Sequence, residues 1–321
     1  MGFTVAFSSI GRRVELAMIF REELQRAGGG RLLGFDMDPT ASGSGFVDEF
    51  FQVPACSDPA YKNVLLELCE ENAVDLIIPL IDTELATWAA FRQEMLRQGT
   101  MVMVSDAQTI GLCADKYRFG EHLAARDIAT PELVKSFREV GPNDELVVKP
   151  RGGSSSLGIS YVTAAELALA WPSADEWVVQ RRVRGREYSV DAFVDPGGSV
   201  RSACVREQLE MRAGETSKGR SGGPAQVKDA AIAAVQSMPG AFGLLHMDLI
   251  VDGASGKPVV LEMNARFPGG YPLSHRAGSP AVRWLIELAK GESPDYSSGG
   301  VMREVFMARY ELGSYTYSGT A

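Results

Sequence analysis

Three oxygen-bearing side chains, Asp248, Glu262 and Asn264, have the types and spacing that point most directly to chemistry. They lie in LLHMDLIVDGASGKPVVLEMN, where DGASGK is a turn sequence containing two glycines. If Asp252 and Pro258 flank that turn at matching heights, Asp248 stands opposite Glu262 in an antiparallel pair. Side chains alternate faces along a strand. Leu245, Met247, Leu249 and Val251 then share one side, and His246, Asp248, Glu262 and Asn264 the other. Two close acids repel and raise each other's pKa unless a cation neutralises them. Oxygen ligands of this type suit Mg²⁺, which takes one or two carboxylates and completes its shell with substrate phosphates and water. A solvated hairpin face would carry the same acids. Arg266, two residues beyond Asn264, favours the metal–phosphate reading, because a guanidinium there can meet phosphate bidentately. His246 reads as a packed neighbour of these groups.

A second constellation is VVKPRGGSSSLGIS, residues 147–160, which runs an apolar strand into Lys149 and then into glycines and serines. Small residues give up packing and lose backbone entropy on folding. The stretch is therefore either a flexible surface turn or a lid whose successive N–H groups form an anion-binding concavity. It is not a Walker A sequence, since the lysine precedes the glycines and no GK[ST] follows. An acidic metal site further along the chain favours the lid.

The elements that must position these residues are legible in the apolar pattern. TVAFSS, RLLGFDMD, VDLIIPL and TMVMVS read as strands. They alternate with helical RRVELAMIFREELQRAG, DPAYKNVLLELCEENA and TELATWAAFRQEMLRQG. Such alternation predicts parallel βαβ units covered on both faces. After Ser105 comes a helix in CADKYRFGEHLAARDIATPE that breaks at Pro131. The short segments ELVVKP, GISYV, EWVVQRRV, REYSVDAFVD and SVRSACVRE then predict an antiparallel sheet. ACVREQLEMRAGETSKGRSGG, with Arg206, Arg212, Lys218 and Arg220, reads as a charged loop, with Arg206 at a strand end. VKDAAIAAVQSM and SPAVRWLIELAKG read as helices, and REVFMARYEL as a final strand.

Composition bounds the function. The chain has 321 residues, 45% hydrophobic and 23% charged, and a mean hydropathy near zero, as in ordinary globular proteins. No apolar run approaches the ~20 residues of a membrane span, and the N-terminus lacks the charge order of a signal peptide. A formal net charge of −9 disfavours a nucleic-acid binder. Cys56, Cys69, Cys113 and Cys204 form no CxxC pair, so neither zinc nor a disulfide framework is expected. A cytoplasmic location is the expectation. The N-terminal strand–turn–helix followed by Asp36 mimics a dinucleotide site, but SSIGRR holds one glycine rather than GxGxxG, which excludes NAD.

Together these stretches resemble the ATP-grasp superfamily, in particular the carbamoyl-phosphate-synthetase-like carboxylate–amine ligases, along nearly the whole chain. IGRRVEL, FDMDP, LIIPLIDTEL and MVMVS are similar to the pre-ATP-grasp domain. ADKYRFGEHLAARDIATPE resembles the helix with a phosphate-binding lysine, VVKPRGGSSSLGIS the lysine and phosphate lid. VVQRRVRGREYSVDAF resembles the adenine–ribose strands, and MDLIVDGASGKPVVLEMNARFPGG the metal-binding end. The implied fold is an α/β, Rossmann-like pre-ATP-grasp domain over residues 1–108, followed by an α+β, two-lobed ATP-grasp fold over 109–295. Its lid subdomain spans about 128–186, and a tail over 296–321 packs on it.

Residue by residue, the resemblance implies that Lys116 and Lys149 contact ATP phosphates, with Gly153, Ser154, Ser155 and Ser156 in the lid. Gln180, Arg181 and Val183 belong to the adenine hinge, acting largely through backbone groups, and Glu187 accepts from the ribose. Asp248, Glu262 and Asn264 hold Mg²⁺, for which Mn²⁺ can substitute, and Arg266 stabilises the transferring phosphoryl group. Arg206 and Lys218 are candidates for contact with phosphate or acceptor. Asp82, Thr83 and Glu84 are expected to face the substrate cleft, and His275 is either an acceptor contact or a surface residue. The implied activity is formation of an acyl phosphate from a carboxylate and ATP, followed by capture with an amine. A phosphoryl transfer of kinase type and a non-catalytic nucleotide-binding subunit are the alternatives. The expected partners are ATP and small carboxylate and amine substrates, with neither nucleic acid nor membrane. A homodimer stays open.

Overall fold

The computed structural model describes residues 2–153, 158–168, 170–212, 215–300 and 302–315. The expected lid residues Ser154, Ser155 and Ser156 thus lie outside the described residues. The N-terminal strands are β1 (Thr4–Ser8), β2 (Arg31–Asp36), β3 (Glu49–Gln52), β4 (Leu76–Pro79) and β5 (Met101–Val102). They form a parallel sheet in the order β3-β2-β1-β4-β5. Helices α1 (Val14–Arg26), α2 (Tyr61–Glu71) and α3 (Asp82–Arg97) make the crossovers. The sequence pattern missed β3, because EFFQ is an edge strand without a fully buried residue. Asp36 accepts from the backbone N–H of Gly11 at 2.7 Å and of Asp38 at 2.9 Å, so its carboxylate braces its own loop.

Two helices, α4 (Ala107–Ala114) and α5 (Lys116–Ala124), lead into the second half. There β6 (Glu145–Pro150), β7 (Ser160–Thr163) and β8 (Trp177–Arg181) form a small antiparallel sheet with the one-turn helix α6 (Ala164–Leu167). Val134, Leu146, Val148, Ala164 and Val179 give this sheet a core of its own.

The larger sheet comprises β9 (Gly185–Val194), β10 (Val200–Arg212), β11 (Glu215–Ser221), β12 (Gly243–Asp252), β13 (Pro258–Asn264) and β14 (Phe306–Ala308), in the order β13-β12-β9-β10-β11-β14. The stretch read as a charged loop is instead the β10–β11 hairpin. Its cations pair across and beside the strands, Arg220 with Glu207 and Lys218 with Glu210. Helix α7 (Ala225–Gln236) covers one face through Val227, Ala231, Ala234 and Val235. Helices α8 (Tyr271–Arg276) and α9 (Ala281–Ala289) pack against α1. Phe7 and Phe20 share a cluster with Phe267, Tyr271 and Trp284, so the N-terminal domain and the large sheet have a common core. The four cysteines are free, and no described helix is long and apolar enough to cross a membrane.

Candidate active site

A cleft of about 610 Å³ separates the small sheet from the large one, with Arg13 and Arg266 on its wall. Its floor follows from strand alternation. Antiparallel pairing sets Glu262 opposite Asp248, Asp248 opposite Ser189, and Ser189 opposite Arg206, in one row across four strands. The next row joins Asn264, His246 and Asp191. Directly paired residues share a face, so an acid-rich polar surface crosses an otherwise apolar sheet, while Tyr188, Val190 and Met247 lie buried on the reverse. The turn differs from the expected register. Val251, not Asp252, pairs with Pro258, and Leu249 pairs with Val260. A bulge at Leu261 supplies the missing residue and restores Asp248 to its place opposite Glu262.

Asp248 is oriented by its neighbours. Its Oδ1 accepts from Ser189 Oγ at 2.7 Å and Gln208 Nε2 at 3.0 Å, and lies 3.5 Å from His246 Nε2. His246 Nδ1 lies 2.8 Å from Asp191 Oδ1. Asp191 also accepts from Arg206 Nε at 3.0 Å, Arg206 Nη2 at 3.1 Å and Ser274 Oγ at 2.5 Å. Burial pushes the imidazole pKa down, but the carboxylates of Asp248 and Asp191 outweigh it and lift His246 to about 9. Burial pushes Asp248 up, and His246, Ser189 and Arg206 reverse this to leave it below the ordinary range. The result is an alternating series, Arg206–Asp191–His246–Asp248, beneath the cleft. Arg206 is 2% exposed on its side chain and bound by Asp191. It lines the cleft from below, and Gly270 is required above it: a Cβ there would lie 2.2 Å from Arg206 Nη1.

At the opposite wall, Lys149, the next-to-last residue of β6, is almost fully buried. Burial pushes its pKa below the ordinary lysine value, Glu262 pulls it back, and Lys116 adds to the depression. Its ammonium therefore shares a field with the acidic row. Gln180 pairs with Val147, and Gln180, Arg181 and Val183 all line the cleft. The Arg181 guanidinium is tied to Glu132 at 2.9 Å, Asp144 at 2.6 Å and the carbonyl of Glu139 at 2.9 Å. Glu187 stands at the cleft edge, its pKa raised by burial and then by Asp248. Lys116 opens α5 after Asp115, whose carboxylate caps the helix by accepting from the N–H of Tyr117 and of Arg118. The Lys116 ammonium donates to the carbonyl of Gly153 at 2.6 Å rather than lining the cleft.

Other expected residues fall differently. Lys218 is exposed, paired with Glu210 at 2.7 Å, and is not on the cleft wall, because strand β11 turns it outward. Asp82 does reach Arg266, but Glu84 is buried inside the N-terminal domain. There it accepts from Tyr61 Oη at 2.6 Å, Trp88 Nε1 at 3.2 Å and the N–H of Leu80 at 2.8 Å. His275 lines a different cavity. Ser189, Asp191 and Gln208 were not anticipated. Their signal was the period-two alternation of EYSVDAF, the same cue that singled out Asp248.

The donor set fits a Mg²⁺ that arrives with a nucleotide. Among the described residues no three His, Cys, Asp or Glu side chains converge tightly enough to hold a metal alone. Asp248, Glu262 and Asn264 supply oxygen only, and the contacts to Asp248 named above all fall on Oδ1. An ion bound here must complete its shell from phosphates and water, as Mg²⁺ does.

Comparison with known proteins agrees with this geometry. Residues 5–103 match the family model of the PylC-like N-terminal domain, and residues 113–270 match that of the ATP-grasp domain. The carbamoyl phosphate synthase large chain of Haemophilus ducreyi is 22% identical over 264 residues, which is 73% of this chain and 24% of that one. This chain thus spans about a quarter of the length of its curated relatives. The biotin carboxylase of Campylobacter jejuni superposes with a TM-score of 0.71 at 16% identity, covering 93% of this chain and 73% of that one. The L-amino acid ligase of Bacillus licheniformis gives 0.68 at 17% identity, covering 89% and 74%.

Proposed function

The chain belongs to the ATP-grasp superfamily, and from that premise we propose that it is an ATP- and Mg²⁺-dependent ligase joining a carboxylate to an amine. The observation that carries this reading is the placement of Lys149 and the row Glu262–Asp248 on facing walls of one cleft, with Arg266 at its end. Cations on two sides of an acidic floor suit a triphosphate whose charge is shared between them.

In this reading the hinge residues Gln180, Arg181 and Val183 hold the adenine through backbone groups, and Glu187 accepts from the ribose hydroxyls. Lys149, with Lys116 and the Gly153 loop, neutralises the phosphates. Asp248, Glu262 and Asn264 hold Mg²⁺, which supplies charge neutralisation at the transferring phosphoryl group. A substrate carboxylate oxygen attacks the γ-phosphorus, the bond to the β-bridging oxygen breaks, and ADP leaves. Arg266 steadies the equatorial oxygens of the group in flight. The amine then attacks the acyl carbon, phosphate departs, and the proton lost from nitrogen passes to the departing phosphate. Catalysis of this kind is positioning and electrostatics, so no nucleophilic side chain is needed.

The test is ADP release measured across mixtures of carboxylates and amines, with mass detection of products. An amide whose yield matches ADP supports the ligase. ADP with a stable phosphorylated product would replace it with a kinase-type transfer, and nucleotide binding without ADP would make the chain a regulatory module.

A further inference from the structure

Ser189 and Gln208 line the cleft beside Asp248, and the proposed reaction gives neither of them a task. Ser189 Oγ and Gln208 Nε2 both reach Asp248 Oδ1, at 2.7 and 3.0 Å, and Gln208 Nε2 also reaches Ser189 Oγ at 2.7 Å. The three side chains form a closed triangle drawn from the neighbouring strands β12, β9 and β10. Ser189 stands directly opposite Asp248 on one side and Arg206 on the other. Gln208 follows Arg206 by two residues, so it shares that face and leans diagonally across the sheet.

The hydrogens fix every direction in the triangle. An ionised carboxylate only accepts, and a hydroxyl has a single hydrogen. Ser189 therefore donates to Asp248 and can only accept from Gln208. The Gln208 amide has two hydrogens, one for Ser189 and one for Asp248, so its nitrogen must be the atom turned toward them. No hydrogen is left over. Both donors are neutral, and they orient the carboxylate without cancelling its charge. They occupy Oδ1, with His246 Nε2 farther off at 3.5 Å.

A cation at this carboxylate is thereby held to one oxygen. Mg²⁺ demands near-octahedral ligands at about 2.0–2.1 Å, which the narrow bite of one carboxylate does not match, whereas Ca²⁺ takes more oxygens, at about 2.3–2.6 Å, and accepts both from one group. Resting on the Mg²⁺ reading above, we propose that Gln208 and Ser189 are positioning residues that set metal specificity. By occupying Oδ1 they restrict Asp248 to ligation through Oδ2, which favours Mg²⁺ over larger cations such as Ca²⁺. Two donors share one oxygen, so either alone keeps it engaged and both must be lost to free it.

The test reads binding rather than turnover, by calorimetry with the Mg²⁺ and Ca²⁺ complexes of adenylyl imidodiphosphate. The wild type is expected to bind the Mg²⁺ complex at least about tenfold tighter, the lower end of what the outer partners of a metal ligand contribute. Ser189→Ala and Gln208→Leu should each change that ratio less than about threefold, and the double variant should bring the two complexes within about threefold through tighter binding of Ca²⁺. Gln208→Glu keeps the size of the side chain and exchanges the donated hydrogen for a further oxygen. It should move the ratio the same way, and it carries the test if the double variant does not fold. Equal binding of both complexes by the wild type would overturn the inference. So would a wild-type ratio in the double variant or in Gln208→Glu, or an equal weakening of both complexes, which would make the triangle structural support only. These results leave the Mg²⁺ reading standing. Analogue binding that survives removal of divalent ions with EDTA undiminished would remove that reading, and the inference with it.

Discussion

Asp82 and Arg266 form a two-pronged ion pair across the domain boundary, with Arg266 Nε donating to Oδ1 at 2.8 Å and Nη2 to Oδ2 at 2.5 Å. The guanidinium that the proposed reaction needs is thereby aimed along the cleft wall, and a substrate oxyanion must compete with Asp82 for it. Arg266→Ala is expected to lower ADP formation about 10²–10³-fold, the effect of losing a preorganised donor at developing charge. Asp82→Asn keeps the shape and one acceptor oxygen and should change turnover less than tenfold. Coupled ADP assays and thermal melts on both variants decide this, and equal losses would make the pair only a strut between domains.

Glu262→Gln and Asn264→Ala are expected to abolish ADP formation while the fold survives. Glu262→Gln keeps the side-chain shape and Asn264→Ala removes no charge, so the melting temperature should hold in both. Wild-type turnover in either variant would remove the metal assignment.

Lys149 gives a pH signature. Its folded-state pKa lies below the ordinary lysine value because burial disfavours the ammonium. The unfolded chain then binds the proton more tightly than the folded one in the interval between the two pKa values, so stability rises as pH is raised through that interval. Lys149→Met should abolish this slope, seen as the difference between wild-type and variant urea midpoints from neutral pH to just below the usual lysine pKa. The same variant should weaken ATP binding at least tenfold by calorimetry, and unchanged affinity would reduce Lys149 to a strand-end charge.

Asp191 holds Arg206 and His246 together in a buried position, with 0% side-chain exposure. Asp191→Asn leaves a buried guanidinium without its counter-charge and should cost about 3–5 kcal/mol in denaturant unfolding. Replacing both partners, Asp191→Leu with Arg206→Met, should recover part of that loss, because the apolar pair leaves no uncompensated charge. A single variant as stable as wild type would show that the array is solvated.

Gly153 has φ +96° and lends its carbonyl to Lys116. Gly153→Ala is strained at that angle and should cost about 1 kcal/mol locally, with turnover falling more than global stability. An unaffected KM for ATP would separate this turn from phosphate binding.

The sequence by itself determined the facing carboxylates and the delivery of Lys149 at a strand end. Both rest on short-range rules: a period of two, a glycine turn, and an apolar strand entering a small-residue loop. Those rules survived a local error. The turn is one residue out of the expected register, yet the bulge at Leu261 returns Asp248 to Glu262, because only that pairing keeps Met247 and Met263 in the core while the acids face the cleft. The same alternation carried Ser189 and Asp191, but a polar residue every second position marks a face without saying what covers it.

Tertiary structure alone decided which charges meet. Asp82 and Arg266 are 184 residues apart, and no local pattern links a helix start in one domain to a residue two places beyond a strand in another. Arg206 was expected at a strand end and Lys218 in a charged loop, yet Arg206 lies within β10, which drives it under the cleft onto Asp191, while strand β11 turns Lys218 out to Glu210. Periodicity follows from the geometry of a few consecutive residues. The partner of a charge follows from which elements pack together, and that is fixed by burying the shared core of Phe7, Phe20, Phe267 and Trp284.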